Sequence, residues 1–472
     1  MVGTSNALGQ EVIMVNYVQA QDEGSMVTEK SGKAIKRINY DYDFTRIIKR
    51  SNLNYILDTN NKVAKVYQYD QGEKDNPYQY AYTGDINILA TITYNKETYS
   101  VIAIDEHAFA YCTGLNSVII PEGVTQIGQY AFKDCSNMTN IILPNNLTNI
   151  GEEAFNGCSS LTKINIPKSM TTINKWAFSG CGLTSVDIPD HVMKINDYAF
   201  SDCSNLTSVT ISEGVTSIGG HAFYNCSSLT NILIPNSVNS IGEGSFSQNY
   251  SLVSATIGNG VVNIGPFAFF ECSSLTDLVV GSSVTSIEDA AFWGCNALTA
   301  VTLNSNPLIS ASRSTYYSYM ESTFGKQVKN YIIGPNVNRI GDGAFYACTL
   351  MKSVIIPEGV TSIGEYAFSG CSGLQSITSF IEEPFGCSNS WNYVTKSIPL
   401  YVPAGTKEKY KNTDGWNEFT NIIELDDETT GIHNCIQSHK EQTYYSLDGH
   451  LQYGKPTKKG VYVVNGKKKI IR

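Results

Sequence analysis

The chain has 472 residues, 42% of them apolar and 16% charged, and a formal net charge of -10. That apolar share supports a buried core and excludes an acidic disordered chain, and the small charged share implies a largely neutral polar surface. The negative balance argues against a nucleic-acid partner, whose phosphates require a basic face. No apolar run approaches the roughly 18 residues of a membrane span.

The opening stretch MVGTSNALGQEVIMV has no basic segment and no long apolar core, so it holds no complete signal peptide. Ser5-Asn6-Ala7 is nevertheless a small-x-small triplet of the kind a signal peptidase cuts after. A chain that begins inside a signal peptide and a plain disordered leader over 1–50 both fit. Residues 51–104 alternate as strands do, as in ILATITYNKETYSVIAI, with TYNKET as a hairpin turn. They are expected to form a β-rich N-terminal cap.

From there the chain repeats itself. Cys112, Cys135, Cys158, Cys181, Cys203 and Cys226 lie 23, 23, 23, 22 and 23 residues apart. The interval to Cys272 is 46, with Asn249 at its midpoint, and Cys295, Cys348 and Cys371 follow after 23, 53 and 23. Eleven copies of Phe-x-x-Cys/Asn run from Phe109 to Phe368, and in a degenerate twelfth Phe324 takes the Phe place and Gln327 the Cys place. Each unit reads Leu-x-x-Ile-x-Ile-Pro-x-x-Val-x-x-Ile-Gly-x-x-Ala-Phe-x-x-Cys. Leu-x-x-Ile-x-Ile is a short strand with one buried face, proline ends it, Ile-Gly marks a second bend and Ala-Phe lies in a turn. One unit cannot close a core, but stacked units share one. The period and the L-x-x-L-x-L-like strand predict a leucine-rich-repeat solenoid over 105–379, about twelve coils with a parallel β-sheet on one face and one irregular coil at 304–330.

These residues resemble the BspA-like leucine-rich repeats of bacterial surface proteins, whose hallmark is the "IP..V..IG..AF..C..L" unit. The resemblance covers roughly 100–380. Asn249 for Cys, and Asn174 and Asn196 for Gly, are modest departures. It implies a secreted or surface-displayed, non-enzymatic protein that binds host or neighbouring-cell molecules.

Ten of the twelve cysteines stand in this register. Stacked side chains point in parallel, which holds Cβ atoms near the ~4.8 Å inter-strand spacing rather than the ~3.8 Å of a disulfide. No C-x-x-C pair exists to build a metal site. Asn249 can hydrogen-bond backbone in a turn but cannot form a disulfide. Buried thiols that fill a turn are therefore expected, and the phenylalanines are expected to form a core spine.

Residues 380–425 break the period and are expected to cap the other end, with Tyr401, Tyr410, Trp416 and Phe419 as bulky cover. Residues 426–472 read as an acidic linker, ELDDETTG, and a small β-rich tail with hairpin signals at Asp448-Gly449 and Asn465-Gly466. The tail resembles those of many secreted Bacteroidetes proteins, which implies a sorting or attachment segment.

No catalytic motif is present, and the carboxylates do not converge. His433, Cys435 and His439 form a weak metal pattern in the linker. No cofactor is expected. The natural binding surface is the strand face, whose outward row includes Asn165, Asp187, Thr210, Leu233, Thr256, Val279 and Thr302. Tyr316, Tyr317 and Tyr319, where the period slips, are a second candidate, since tyrosines serve as interface anchors. The expected partner is a host or microbial surface protein engaged by a monomer, more readily a protein than a glycan. A spacer role in the cell envelope, with no specific ligand, is the alternative.

Overall fold

The computed structural model describes residues 44–67, 82–313 and 320–425, with further short strands near both ends of the chain. Two compact units, Met1–Leu183 and Thr184–Arg472, are each a solenoid of stacked coils about 23 residues long.

The coil that begins at Ser254 shows the design. In strand Ser254–Ile257, Ala255 and Ile257 point inward and Ser254 and Thr256 outward. The chain turns at Gly258, where the Val261 N–H donates to the Gly258 carbonyl, and then forms a second strand, Asn263–Ile264. This strand stands where the sequence suggests only a bend. It pairs in parallel with Ser240–Ile241 and Ser286–Ile287. Gly265 then lets the chain pass close to its neighbour. At the equivalent Gly128, Gly151 and Gly219 a Cβ would lie 2.5–2.6 Å from a backbone nitrogen of the preceding coil.

The coil closes through a turn with its own hydrogen-bond ladder. Phe267 and Glu271 are left-handed, at φ 56° and 57°. The N–H groups of Phe267, Phe269 and Glu271 donate to the carbonyls of Asp289, Ala291 and Trp293 of the next coil at 3.1, 2.7 and 2.7 Å. Left-handed geometry costs about 1–2 kcal/mol for a residue with a Cβ. The stack retains it because it aims these donors along the ladder instead of leaving them buried and unpaired.

Below the turn lies the spine. In the first unit Phe109, Phe132, Phe155 and Phe178 stack at 4.9–5.5 Å, within 5° of parallel. In the second, Phe200, Phe223, Phe246, Phe269 and Phe292 stack at 5.2–5.3 Å, within 12° of parallel. All nine are essentially fully buried. Threonines seal the coil edges: in the second unit, Oγ1 of Thr207, Thr216, Thr276 and Thr285 each donates to a carbonyl 23 residues earlier.

In the first unit, parallel pairing begins before residue 105. Val63–Tyr67 pairs with Glu97–Ile104, Gly84–Asn87 with Leu115–Ile119, and the last of these with Asn140–Ile142. Leu53–Asp58 is antiparallel to both Phe44–Arg50 and Val63–Tyr67.

In the second unit a parallel ladder of nine strands runs from Asn231–Ile234 to Asn421–Glu424. In its irregular coil, helix Asn306–Ser310 replaces the second strand, and the Ile309 carbonyl accepts from Gly341 N as the Ile264 carbonyl does from Glu288 N. Phe324 is buried 5.3 Å from Phe292, and inward-pointing Tyr331 bridges edge-on to Phe345. Further on, Trp391 stacks on Phe368 at 4.5 Å, and Tyr410, Trp416 and Phe419 are buried around it. Tyr401 is not cover: it pairs with Thr378 on the outward row, because its strand, Pro399–Val402, continues the sheet. Near the C-terminus Val464 pairs with Lys467 on either side of Asn465-Gly466, and Tyr444–Ser446 pairs with Leu451–Gln452 across Asp448-Gly449.

Asn249 tests the turn chemistry. Its Nδ2 donates to the carbonyls of Phe223 (3.0 Å) and Phe246 (2.8 Å), while its buried Oδ1 has no hydrogen-bond partner. Asn249→Cys keeps a donor and removes that orphan, so its unfolding free energy from urea titration is expected to match or exceed the parent's, by up to about 1 kcal/mol. Asn249→Ala leaves the Phe223 carbonyl without this donor and is expected to cost about 1–3 kcal/mol.

Candidate binding face

The outward strand residues form an in-register surface. In the second unit Asp187 pairs with Thr210, and Leu233, Thr256, Val279 and Thr302 stand on consecutive strands. The same row continues through Ile332, Ile355, Thr378, Tyr401 and Ile423. From Leu233 to Ile423 it carries no charge. Beside it run Asn231, Ser254, Asp277, Ala300, Asn330, Ser353 and Ser376, in which Asp277 is the one charge. Ser254 Oγ donates to Asn231 Oδ1 at 2.6 Å, and Ser353 Oγ to Asn330 Oδ1 at 3.1 Å, which fixes side chains before any partner arrives. Nine strands at about 4.8 Å make a face about 38 Å long.

Other candidates fall elsewhere. Asn165 belongs to the first unit, exposed on a stretch that forms no regular strand, where Lys163 and Asn165, both poor strand formers, take the outward places. The outward places on that unit's strands hold Ile119 and Ile142, 47% and 51% exposed. Tyr316, Tyr317 and Tyr319 lie outside the described residues, as do His433, Cys435 and His439. Among the described residues no group of three or more His, Cys, Asp or Glu is placed to hold a metal ion. No described helix is long and apolar enough to cross a membrane.

Sequence reasoning missed exposed aromatics on the closing turn. Phe267 is 41% and Trp293 61% exposed, and Phe270 lies between them, 5.0 Å from Trp293 and 17° from parallel. They flank the buried Ala-Phe pair, at positions that the repeat pattern marks only as variable.

The cysteine column is structural. The eleven cysteines among the described residues are buried, and none of them forms a disulfide. The thiols of Cys135, Cys158, Cys181, Cys226, Cys272, Cys295 and Cys371 each donate to the carbonyl of the phenylalanine 26 residues earlier, at 3.1–3.2 Å. Burial pushes the Cys112 thiol up to about 11 and that of Cys387 to about 12. Cys226 and Cys272 are raised well above the usual range by the same cause. A buried thiol whose ionisation is disfavoured in this way is a poor nucleophile and a poor metal ligand.

Residues 78–207, 193–322 and 320–384 match the model of the BspA-type leucine-rich repeat region, in six copies. The chain belongs to the BspA-type leucine-rich repeat family. Among solved structures it is similar to a leucine-rich repeat protein from Bacteroides ovatus, at 21% identity over 82% of this chain and 100% of that one, TM-score 0.48. It is also similar to a leucine-rich cell surface protein from Faecalibacterium prausnitzii, at 25% identity over 83% and 97%, TM-score 0.44. The pneumococcal vaccine antigen PcpA matches at 17% identity over 80% and 98%, TM-score 0.35. No curated protein matches the chain.

In this BspA-type chain a thiol reagent at pH 8 is expected to label none of these eleven cysteines until the protein is unfolded. The raised thiols also set a pH dependence. Between the unfolded value, about 8.5, and the raised folded values the native state binds more protons, so stability falls as pH rises. The thermal midpoint is expected to hold below about pH 8.5 and to drop steadily through about pH 11.

Proposed function

We propose that this protein is a non-enzymatic binding protein of the cell surface or the secreted fraction, engaging a host or microbial surface protein as a monomer through its outward strand row. The observation that carries the reading is the uncharged ladder from Leu233 to Ile423, a mixture of aliphatic and hydroxyl side chains on paired strands. Charged residues are depleted at the centres of protein interfaces, and side chains ordered in advance lower the entropy lost on binding. The row presents few aromatic faces, which favours a protein over a glycan as its partner. Export is supported by membership of the BspA-type family, and the basic β tail is read as a sorting or attachment segment.

The test is a binding screen of the full chain against extracellular-matrix and plasma proteins and bacterial surface extracts. A saturable protein hit is expected, weakened about tenfold or more by Val279→Asp together with Ile332→Asp, which place charge at the centre of the row. A spacer role predicts no saturable partner. A hit that the paired substitutions leave unchanged contradicts the choice of face.

A further inference from the structure

The exposed aromatics on the closing turn of the second unit do no evident work in the fold. The buried spine of that turn is Phe269 and Phe292, both at most 2% exposed. Phe267 stands outside it, in the left-handed region at φ 56°. The equivalent places in this unit, Tyr198, His221, Gly244, Ala290, Gly343 and Tyr366, are all left-handed, and only the two glycines have no Cβ to strain. A bulky aromatic there is unfavourable for the backbone and leaves apolar area in water. Phe270 packs edge-on against it at 5.6 Å and lies nearly parallel to Trp293 at 5.0 Å, so three rings from two adjacent coils form one ledge. The ledge is fixed from below by the bonds from Phe267 N to Asp289 O and from Glu271 N to Trp293 O.

The charge around the ledge has one sign. No lysine or arginine occurs between Lys194 and Arg313, while the same stretch holds Glu243, Glu271 and Asp289 at turn positions bracketing the rings. His221 N donates to Glu243 O one coil before the ledge, which puts that carboxylate on the same turn column. The ion pairs Arg339–Asp342, Lys396–Glu418, Lys409–Glu383 and Lys411–Glu408 of this unit all lie outside the stretch. The three carboxylates therefore have no cation of their own. A flexible cationic chain satisfies both features, since its charges pair with the carboxylates and its cations and aliphatic stems lie against aromatic surface. A neutral sugar would cover the rings but leave the carboxylates repelling one another.

We propose that the ledge of Phe267, Phe270 and Trp293, with Glu243, Glu271 and Asp289 around it, docks a lysine- and arginine-rich segment of a partner protein. This surface is separate from the strand row, and the failure of either proposal leaves the other standing.

The test uses the full chain and a fluorescently labelled decalysine peptide followed by anisotropy, with acetylated decalysine and a neutral hexasaccharide as comparison probes. Decalysine is expected to bind saturably, more weakly as salt rises, and acetylated decalysine not to bind. Affinity is expected to fall about tenfold or more in Phe267→Ala/Trp293→Ala, which keeps every charge, and similarly in Glu243→Gln/Glu271→Gln/Asp289→Asn, which keeps every ring. Both variants change surface residues, and circular dichroism establishes that they are folded. Decalysine binding unchanged in the aromatic variant would reduce the effect to general electrostatics and overturn the proposal. Absence of saturable binding would overturn it as well. Binding of the hexasaccharide in place of decalysine would reassign the ledge to glycans and equally overturn it.

Discussion

The structure depends on closing each coil without orphaning its backbone. A short turn of non-repeating geometry, buried against its neighbours on both sides, would leave N–H and C=O groups without water and without partners, each costing about 1–3 kcal/mol. Two left-handed residues per coil solve half of this by aiming three N–H donors at the next coil. The side chain at the cysteine position solves the other half by donating back to the phenylalanine carbonyl of the coil before. The stacked rings, the close Ile-Gly approach and the two strand ladders all follow from the spacing that these bonds set. A thiol suits the position because it is a small apolar group with one weak donor, so it fills the core and satisfies the carbonyl together. Asn249 shows that the donor is the essential part: a carboxamide makes the same bond to Phe223 O, at the expense of a buried oxygen without a partner.

Much of this was legible in the sequence because the repeat averages out local noise. One copy of the unit is ambiguous, whereas eleven copies of Phe-x-x-Cys/Asn in register with the strand pattern identify the inward residues, the turn and the spine. Gln327 in the irregular coil was legible in the same way, and its Nε2 donates to the Cys295 and Phe324 carbonyls. The second strand at Asn263–Ile264 was not, because two residues are too few to show alternation. The left-handed residues were hidden as well. Residues other than glycine, among them Tyr, His, Asp and Glu, occupy most of these positions, so the usual marker of positive φ is missing. Tyr401 was misread as cover because its strand follows a break in the period, where counting from the last cysteine no longer gives its direction.

The candidate surfaces were legible to a lesser degree, for a physical reason. The repeat specifies what points inward, because burial constrains it, and leaves outward positions to vary. The strand row follows from alternation alone. The aromatic ledge required knowing that the positions on either side of Ala-Phe face solvent side by side in successive coils. A signal was nonetheless present in the sequence: the gap in lysine and arginine between Lys194 and Arg313, on a chain that carries 33 such residues. Taken together, the scaffold is uniform in its polar closure and differentiated on its faces, a neutral strand row on one and an acidic aromatic turn on another.

Residue-resolved amide hydrogen exchange on the native chain measures the closing ladder most directly. If the turn bonds hold the coils together, the amides of Phe223, Phe246 and Phe269 and of left-handed His221, Phe267 and Glu271 will exchange as slowly as the strand amides of Asn231–Ile234 and Ser254–Ile257. Exchange at loop rates in those turns, with protection confined to the strands, would contradict the account and leave the sheet as the sole support of the stack.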